Sequence, residues 1–73
     1  PKNPACFDVV IANIIAPILI DLAVDIMRVC KDTIVLSGMR DTQLDDVLKV
    51  YSGWQLVEKI HEDHWIACIL KSV

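Results

Sequence analysis

A single side-chain amide is the most pointed chemical feature of this sequence. Asn13 closes the run Phe7-Asp8-Val9-Val10-Ile11-Ala12 and is followed by Ile14-Ile15-Ala16-Pro17. A polar side chain directly after an apolar strand, at its carboxyl end, occupies the place where open α/β sheets carry ligand chemistry. A carboxamide both donates and accepts hydrogen bonds, so it can orient a bound group before an in-line transfer. Positioning of that kind supplies about 7–11 kcal/mol at best. A local alternative stands beside it: asparagine is also a preferred cap for a following helix.

The other candidate groups have plainer readings. Ser37-Gly38 could line the same sheet edge, or simply end a strand in a turn. His61-Glu62-Asp63-His64 places four potential metal ligands in a row. They sit on a tight turn, and no second ligand cluster completes a tetrahedral site, so a solvated turn is the simpler account. Trp54 and Trp65 could form a stacking platform, but a cross-strand packing pair is the more economical expectation. Asp45-Asp46 suits the start of a helix rather than acid–base work. The three cysteines, Cys6, Cys30 and Cys68, show no Cys-x-x-Cys pairing. That usage fits a reducing, cytoplasmic setting. Cys30 and Cys68 fall in apolar patterns and read as small core residues.

These groups must be held by secondary structure, and the patterning gives its order. Residues 7–12 form a continuous, β-branched apolar run after Asp8, the pattern of a strand buried on both faces in a parallel sheet. Pro17 suits the first turn of a helix. From Pro17 to about Cys30 the apolar residues Leu19, Leu22, Ala23, Ile26 and Val29 recur at helical spacing. Lys31-Asp32 reads as a turn, residues 33–36 as a second strand, and residues 39–42 as a loop whose Asp41 or Thr42 caps the next helix. Leu44, Val47, Leu48 and Tyr51 give that helix its apolar face, and Gly53 stops it. Residues 54–61 and 64–70 then form a hairpin around Glu62-Asp63. The expected order is β-α-β-α-β-β: an α/β fold with a parallel unit and a terminal antiparallel hairpin.

Composition bounds what such a fold can be. The chain has 73 residues, 55% of them apolar. A domain this small buries only about 60% of its unfolded surface, so the apolar excess must face a partner, either a second copy or a further part of the same polypeptide. The sequence starts Pro1-Lys2-Asn3-Pro4 without an initiator methionine, and a fragment is expected. The net charge is −3 and there is no basic run, which argues against direct nucleic-acid binding. The apolar run from Val9 to Ile20 is interrupted by Asn13 and followed by Asp21 and Asp25, short of the roughly 20 apolar residues that span a bilayer. No membrane segment or signal peptide is expected.

The ordered motifs resemble the carboxyl half of a class I S-adenosylmethionine-dependent methyltransferase, a Rossmann-like fold. Val10-Ile11-Ala12-Asn13-Ile14-Ile15-Ala16 is similar to the Val-Ala-Asn-Ile-Leu-Ala signature of the PrmA family, which methylates a large-subunit ribosomal protein. Leu36-Ser37-Gly38, Gly53-Trp54-Gln55-Leu56-Val57 and Trp65-Ile66-Ala67 follow at fitting distances. The resemblance covers nearly the whole chain. It implies that Asn13 contacts the methyl donor, and that Ile14, Ile15 and Ala16 border the opening where the substrate amine enters. It assigns no catalytic residue and no metal. It implies a protein-lysine N-methyltransferase as the parent protein, with a ribosomal protein as partner.

The glycine-rich loop of the first family strand, the acidic residue after the second and the separate substrate-recognition domain have no counterpart here. The expectation is therefore a single partial domain over residues 1–73, inactive alone, whose missing amino-terminal half is its natural partner. In isolation its uncovered first strand favours a homodimer or larger assembly. Two other functions fit the same residues: part of another class I methyltransferase acting on a small molecule or nucleic acid, and a self-associating module without enzymatic activity.

Overall fold

The computed structural model describes residues 7–73; Cys6 lies outside them. Strand β1 (Phe7–Asn13) leads into helices α1 (Ala16–Asp21) and α2 (Ala23–Val29), then the long strand β2 (Cys30–Arg40). A 3-10 turn (Asp41–Gln43) and helix α3 (Leu44–Val50) follow, and the chain ends in strands β3 (Trp54–Glu62) and β4 (Trp65–Ser72). The four strands make one mixed sheet in the order β1-β2-β4-β3. β1 runs parallel to β2, whereas β4 is antiparallel to both β2 and β3.

One face of the sheet carries the core. Ile34 and Leu36 of β2 and Ile66, Cys68 and Leu70 of β4 alternate toward the helices, where they meet Leu19, Ala23, Ile26, Val47 and Tyr51. Successive strand residues point to opposite faces, so the residues between them face away. On that other face Val9 and Ile11 of β1 are 50% and 71% exposed. Among the described residues no element covers it. This corrects the reading of residues 7–12 as a strand buried on both faces. β1 is apolar on both faces, but it is an edge strand, and only Val10 and Ala12 pack against the core.

The single helix expected from Pro17 to Cys30 is broken at Leu22 (φ −92°, ψ 2°). The cause is tertiary. The Tyr51 hydroxyl donates to the Leu19 carbonyl at 2.9 Å, an acceptor that the Ala23 N–H would claim in an unbroken helix. Burial pushes the Tyr51 hydroxyl up to about 12. Cys30 and Cys68 are buried free thiols, as their apolar surroundings predict, and burial pushes the Cys68 thiol up to about 11.

Strand β2 is longer than its sequence suggested. Lys31 and Asp32 belong to it rather than to a turn, and it continues through Ser37-Gly38 to Arg40. The continuation is made possible by a bulge. Leu36 pairs with Cys68 but Met39 pairs with Ile66, so Ser37 and Gly38 together oppose Ala67. Gly38 takes φ +90°, a conformation that L side chains rarely adopt. The extra residue turns Met39 onto the helix-covered face, where it is fully buried.

The cap expected from Asp41 or Thr42 is also replaced. Gln43 Oε1 accepts from the Arg40 N–H at 2.9 Å, while Asp45 and Asp46 occupy the first turn of α3 as anticipated.

Candidate functional site

The carboxyl ends of β1 and β2 lie side by side, and Asn13 is the last residue of β1, paired with Ser37. The Ile14 N–H extends the pairing by donating to the Ser37 carbonyl at 3.1 Å. Asn13 does not cap the helix that follows. The N-cap of α1 is Ile15, with no side-chain hydrogen bond, and Pro17 opens the helix. The amide is thus left exposed at the sheet edge.

Gly38 is what lets this edge close. A Cβ at Gly38 would fall 2.7 Å from the Ile14 carbonyl oxygen and 2.9 Å from both Asn13 Oδ1 and Ile14 N. Two of those three atoms are backbone, which cannot swing aside. The bulge in β2 and the end of β1 therefore fit together only with glycine at this position. Sequence reasoning favoured a simple strand-ending turn for Ser37-Gly38. A glycine inside a strand and a glycine in a turn look alike locally; the signal available was its place one strand away from Asn13.

Beside this contact lies an open hollow of about 450 Å³, lined by Asn13, Ile14, Ile15, Gly38 and Trp65. Ile15 is exposed, Ile14 is half-buried, and Ala16 is buried against the core. Of the four residues singled out from sequence, Asn13, Ile14 and Ile15 border the hollow, and Ala16 anchors the start of α1 behind them. Apart from the Asn13 amide the walls are apolar, and no lining residue titrates near neutral pH.

Trp65 was not assigned to this site by sequence reasoning, which paired it with Trp54. The hairpin turns at Asp63-His64 rather than Glu62-Asp63, with Asp63 at φ 55°. Its pairing sets Trp54 opposite Ser72 and Trp65 opposite Glu62, at opposite ends of the hairpin. Trp65 also faces Arg40 across β2, and the guanidinium carbon sits 5.4 Å from the ring centroid, a cation–π contact.

The neighbouring polar residues tie the hairpin tip to β2. The Asp41 N–H donates to the His64 carbonyl at 2.9 Å. His61 Nε2 lies 2.8 Å from Asp41 Oδ2, a hydrogen bond that holds the Asp41 carboxyl below its ordinary range. Among the described residues no three His, Cys, Asp or Glu side chains gather as a metal site, and no helix is long and apolar enough to cross a membrane.

Fold and site together define an α/β sheet with an open, mostly apolar hollow at the carboxyl ends of two parallel strands. Comparison with known proteins narrows this class. The family model for ribosomal protein L11 methyltransferase (PrmA) matches residues 2–73. The ribosomal protein L11 methyltransferase of Caulobacter sp. (strain K31) is 42% identical over 71 residues, covering 92% of this chain and 25% of that protein. The namesake from Thermotoga neapolitana is 38% identical over 69 residues, covering 89% and 26%. That of Helicobacter acinonychis (strain Sheeba) is 36% identical over 62 residues, covering 84% and 19%. The crystal structure of a ribosomal protein L11 methylase from Lactobacillus delbrueckii subsp. bulgaricus superposes with a TM-score of 0.83 at 25% identity, over 89% of this chain and 36% of that one.

The chain belongs to the PrmA family. It spans about a fifth to a quarter of the length of these curated relatives.

Proposed function

We propose that this chain is the carboxyl-terminal part of an S-adenosylmethionine-dependent methyltransferase. Its sheet is one half of a Rossmann-like catalytic domain, and the whole protein methylates amino groups, including lysine, of a large-subunit ribosomal protein in the cytoplasm. The relatives are named for methylating ribosomal protein L11, and that substrate is carried over here. The observation that carries the reading is the contact of Asn13 and Ile14 over Gly38, at the edge of an apolar hollow.

The residues present fit one wall of a methyl-donor pocket. Gly38 leaves unfilled the space a Cβ would take, so the Asn13 amide and the Ile14 peptide can border the site together. S-adenosylmethionine, when bound, supplies an electrophilic methyl group. The Asn13 carbonyl oxygen accepts a hydrogen bond from the acceptor amine and so fixes the direction of its lone pair. Ile14, Ile15 and Trp65 give that point apolar walls. An amine attacks only when neutral, and none of the residues lining this hollow can take its proton near neutral pH; the proton leaves through the open mouth to solvent. Catalysis on this side is therefore positioning.

The opposite wall belongs to the amino-terminal half, which would also cover Val9 and Ile11 of β1. Alone, the 73 residues are inactive and pair through the uncovered edge of β1 in a homodimer. Sedimentation of the isolated chain checks the dimer, and a clean monomer with a cooperative melt rules it out.

Titration of S-adenosylhomocysteine into the full-length polypeptide tests the main reading. Asn13→Ala should weaken binding or turnover by about tenfold, the loss of roughly one hydrogen bond. Unchanged affinity and unchanged turnover would remove Asn13 from the site.

A further inference from the structure

A second, smaller hollow of about 140 Å³ adjoins the first and shares Gly38 and Trp65 with it. Ser37, Ile60, Glu62 and Ala67 complete much of its lining. Glu62 is the one ionisable residue in the walls of either hollow. It stands directly opposite Trp65 in the β3–β4 register, so a carboxylate and an indole ring flank the same space on the same face of the sheet. Among the described residues Glu62 has no ion-pair partner. The ring is already used as a cation platform, since it carries the Arg40 guanidinium at 5.4 Å.

The chemistry of the proposed reaction leaves a role for such a place. A lysine side chain reaches the site as an ammonium ion, because its amine is protonated at neutral pH. Its methylated product is again a cation. The first hollow has an amide and apolar walls but no carboxylate, so it suits the neutral amine in transit better than either charged form. The second hollow offers a carboxylate and an aromatic face, the pair of groups that recognises alkylammonium ions.

We propose that the Glu62–Trp65 hollow is an ammonium-holding subsite, which takes the cationic form of the acceptor side chain before proton loss and after methylation. Its physiological use rests on the methyltransferase reading above; its binding chemistry does not. Arg40 works against it, as a like charge in the same row of the sheet. The arrangement Arg40–Trp65–Glu62 thereby keeps the cation's stay brief rather than tight.

The test uses N-acetyl-Nε-trimethyl-lysine methylamide as probe, with the folded chain carrying Trp54→Phe so that emission reports Trp65 alone. Saturable binding is expected. Glu62→Gln should weaken it about tenfold, and Arg40→Gln should strengthen it, a gain that damage to the fold would not produce. A neutral isostere with a tert-butyl group in place of trimethylammonium should bind at least tenfold more weakly than the cation.

Equal binding of the isostere, or of the cation by Glu62→Gln, overturns the proposal. In the full-length polypeptide, Glu62→Gln should raise KM for the protein substrate and leave S-adenosylhomocysteine affinity unchanged. Loss of S-adenosylhomocysteine binding in the unaltered polypeptide would instead count against the methyl-donor reading, leaving the cation titration to stand or fall separately.

Discussion

The two faces of this sheet are built from the same kinds of residue and have opposite fates. On one, Ile34 and Leu36 are wholly removed from solvent by three short helices. On the other, in the adjacent strand β1, Val9 and Ile11 stand open. Apolar composition alone therefore does not say what is buried. The difference lies in what the rest of the polypeptide brings to each face. A chain that spans a fifth to a quarter of its relatives carries the helices for one face only. Part of the excess hydrophobicity noted at the outset lies on the face and edge that lack them, and part on the outer side of the helices at Ile18, Leu22 and Val24.

Substitutions on the two faces give the sharpest test of that contrast. Leu36→Ala should cost about 2–5 kcal/mol in denaturant unfolding, through lost burial and the cavity left behind. Ile11→Ala should change stability by less than about 0.5 kcal/mol in the isolated monomer. Equal effects would break the comparison, and a large Ile11 effect appearing only at high concentration would show a second copy covering the open face.

Next in size is Gly38→Ala. A side chain at positive φ against the Ile14 backbone should cost about 1–3 kcal/mol. It should also displace Asn13 and weaken S-adenosylhomocysteine binding in the full-length polypeptide. A variant as stable and as competent as the parent would show that the close fit of the two strand ends is not required.

The helix-covered face should also show an alkaline limit. Tyr51, the only tyrosine in the chain, is held neutral by burial up to about 12. A raised folded value means that stability is intact below the ordinary tyrosine value of 10.0 and is lost as the pH climbs toward about 12. Cys68, raised from 9.0 to about 11, adds to the same slope from a lower pH. Absorbance of the single tyrosinate, followed alongside unfolding, checks this, and Tyr51→Phe should flatten the upper part of the curve.

The smallest expected effect is at the hairpin tip. The Asp41 carboxyl is depressed, so its contribution is present above the ordinary value of 3.8 and disappears as the pH falls below it. Both partners are solvent-accessible, so melting temperatures of the parent and Asp41→Asn should differ slightly at neutral pH and converge in acid. A difference that persists in acid would mean the carboxylate is not the source of the effect.

The features that sequence patterning captured are those fixed by local periodicity. The stripe of Leu19, Ala23 and Ile26, the proline-led start of α1, the acidic first turn of α3 and the closing hairpin all follow from spacing and turn chemistry. The features it missed are set by partners distant in sequence. Leu22 fits a helical stripe perfectly well, and the break there depends on Tyr51, 32 residues from Leu19, competing for a carbonyl. Ser37-Gly38 has the composition of a strand end, and only the pairing with β4 shows the strand continuing.

At the candidate site, Asn13 stood out because a polar residue ending an apolar run is itself unusual, whereas its two isoleucines came from the family resemblance. Trp65 was not, because its place depends on where the hairpin folds: a turn at Asp63-His64 sends Trp54 to the far end and delivers Trp65 to the site.

The extra residue in β2 has a consequence for how the molecule can change. A strand alternates with a fixed period of two, so every position is in phase with every other, and an insertion anywhere would turn the remainder inside out. The bulge is a built-in phase shift. Before it, the alternation is set by Ile34 and Leu36; after it, the count begins again with Met39 inward and Arg40 outward. The strand end that carries Arg40 and meets Trp65 is thus clocked separately from the strand that fills the core. Gly38 marks the boundary between two stretches of one strand that meet the helices in different phase, Ile34 and Leu36 before it and Met39 after it, and so sets Arg40 beside Trp65.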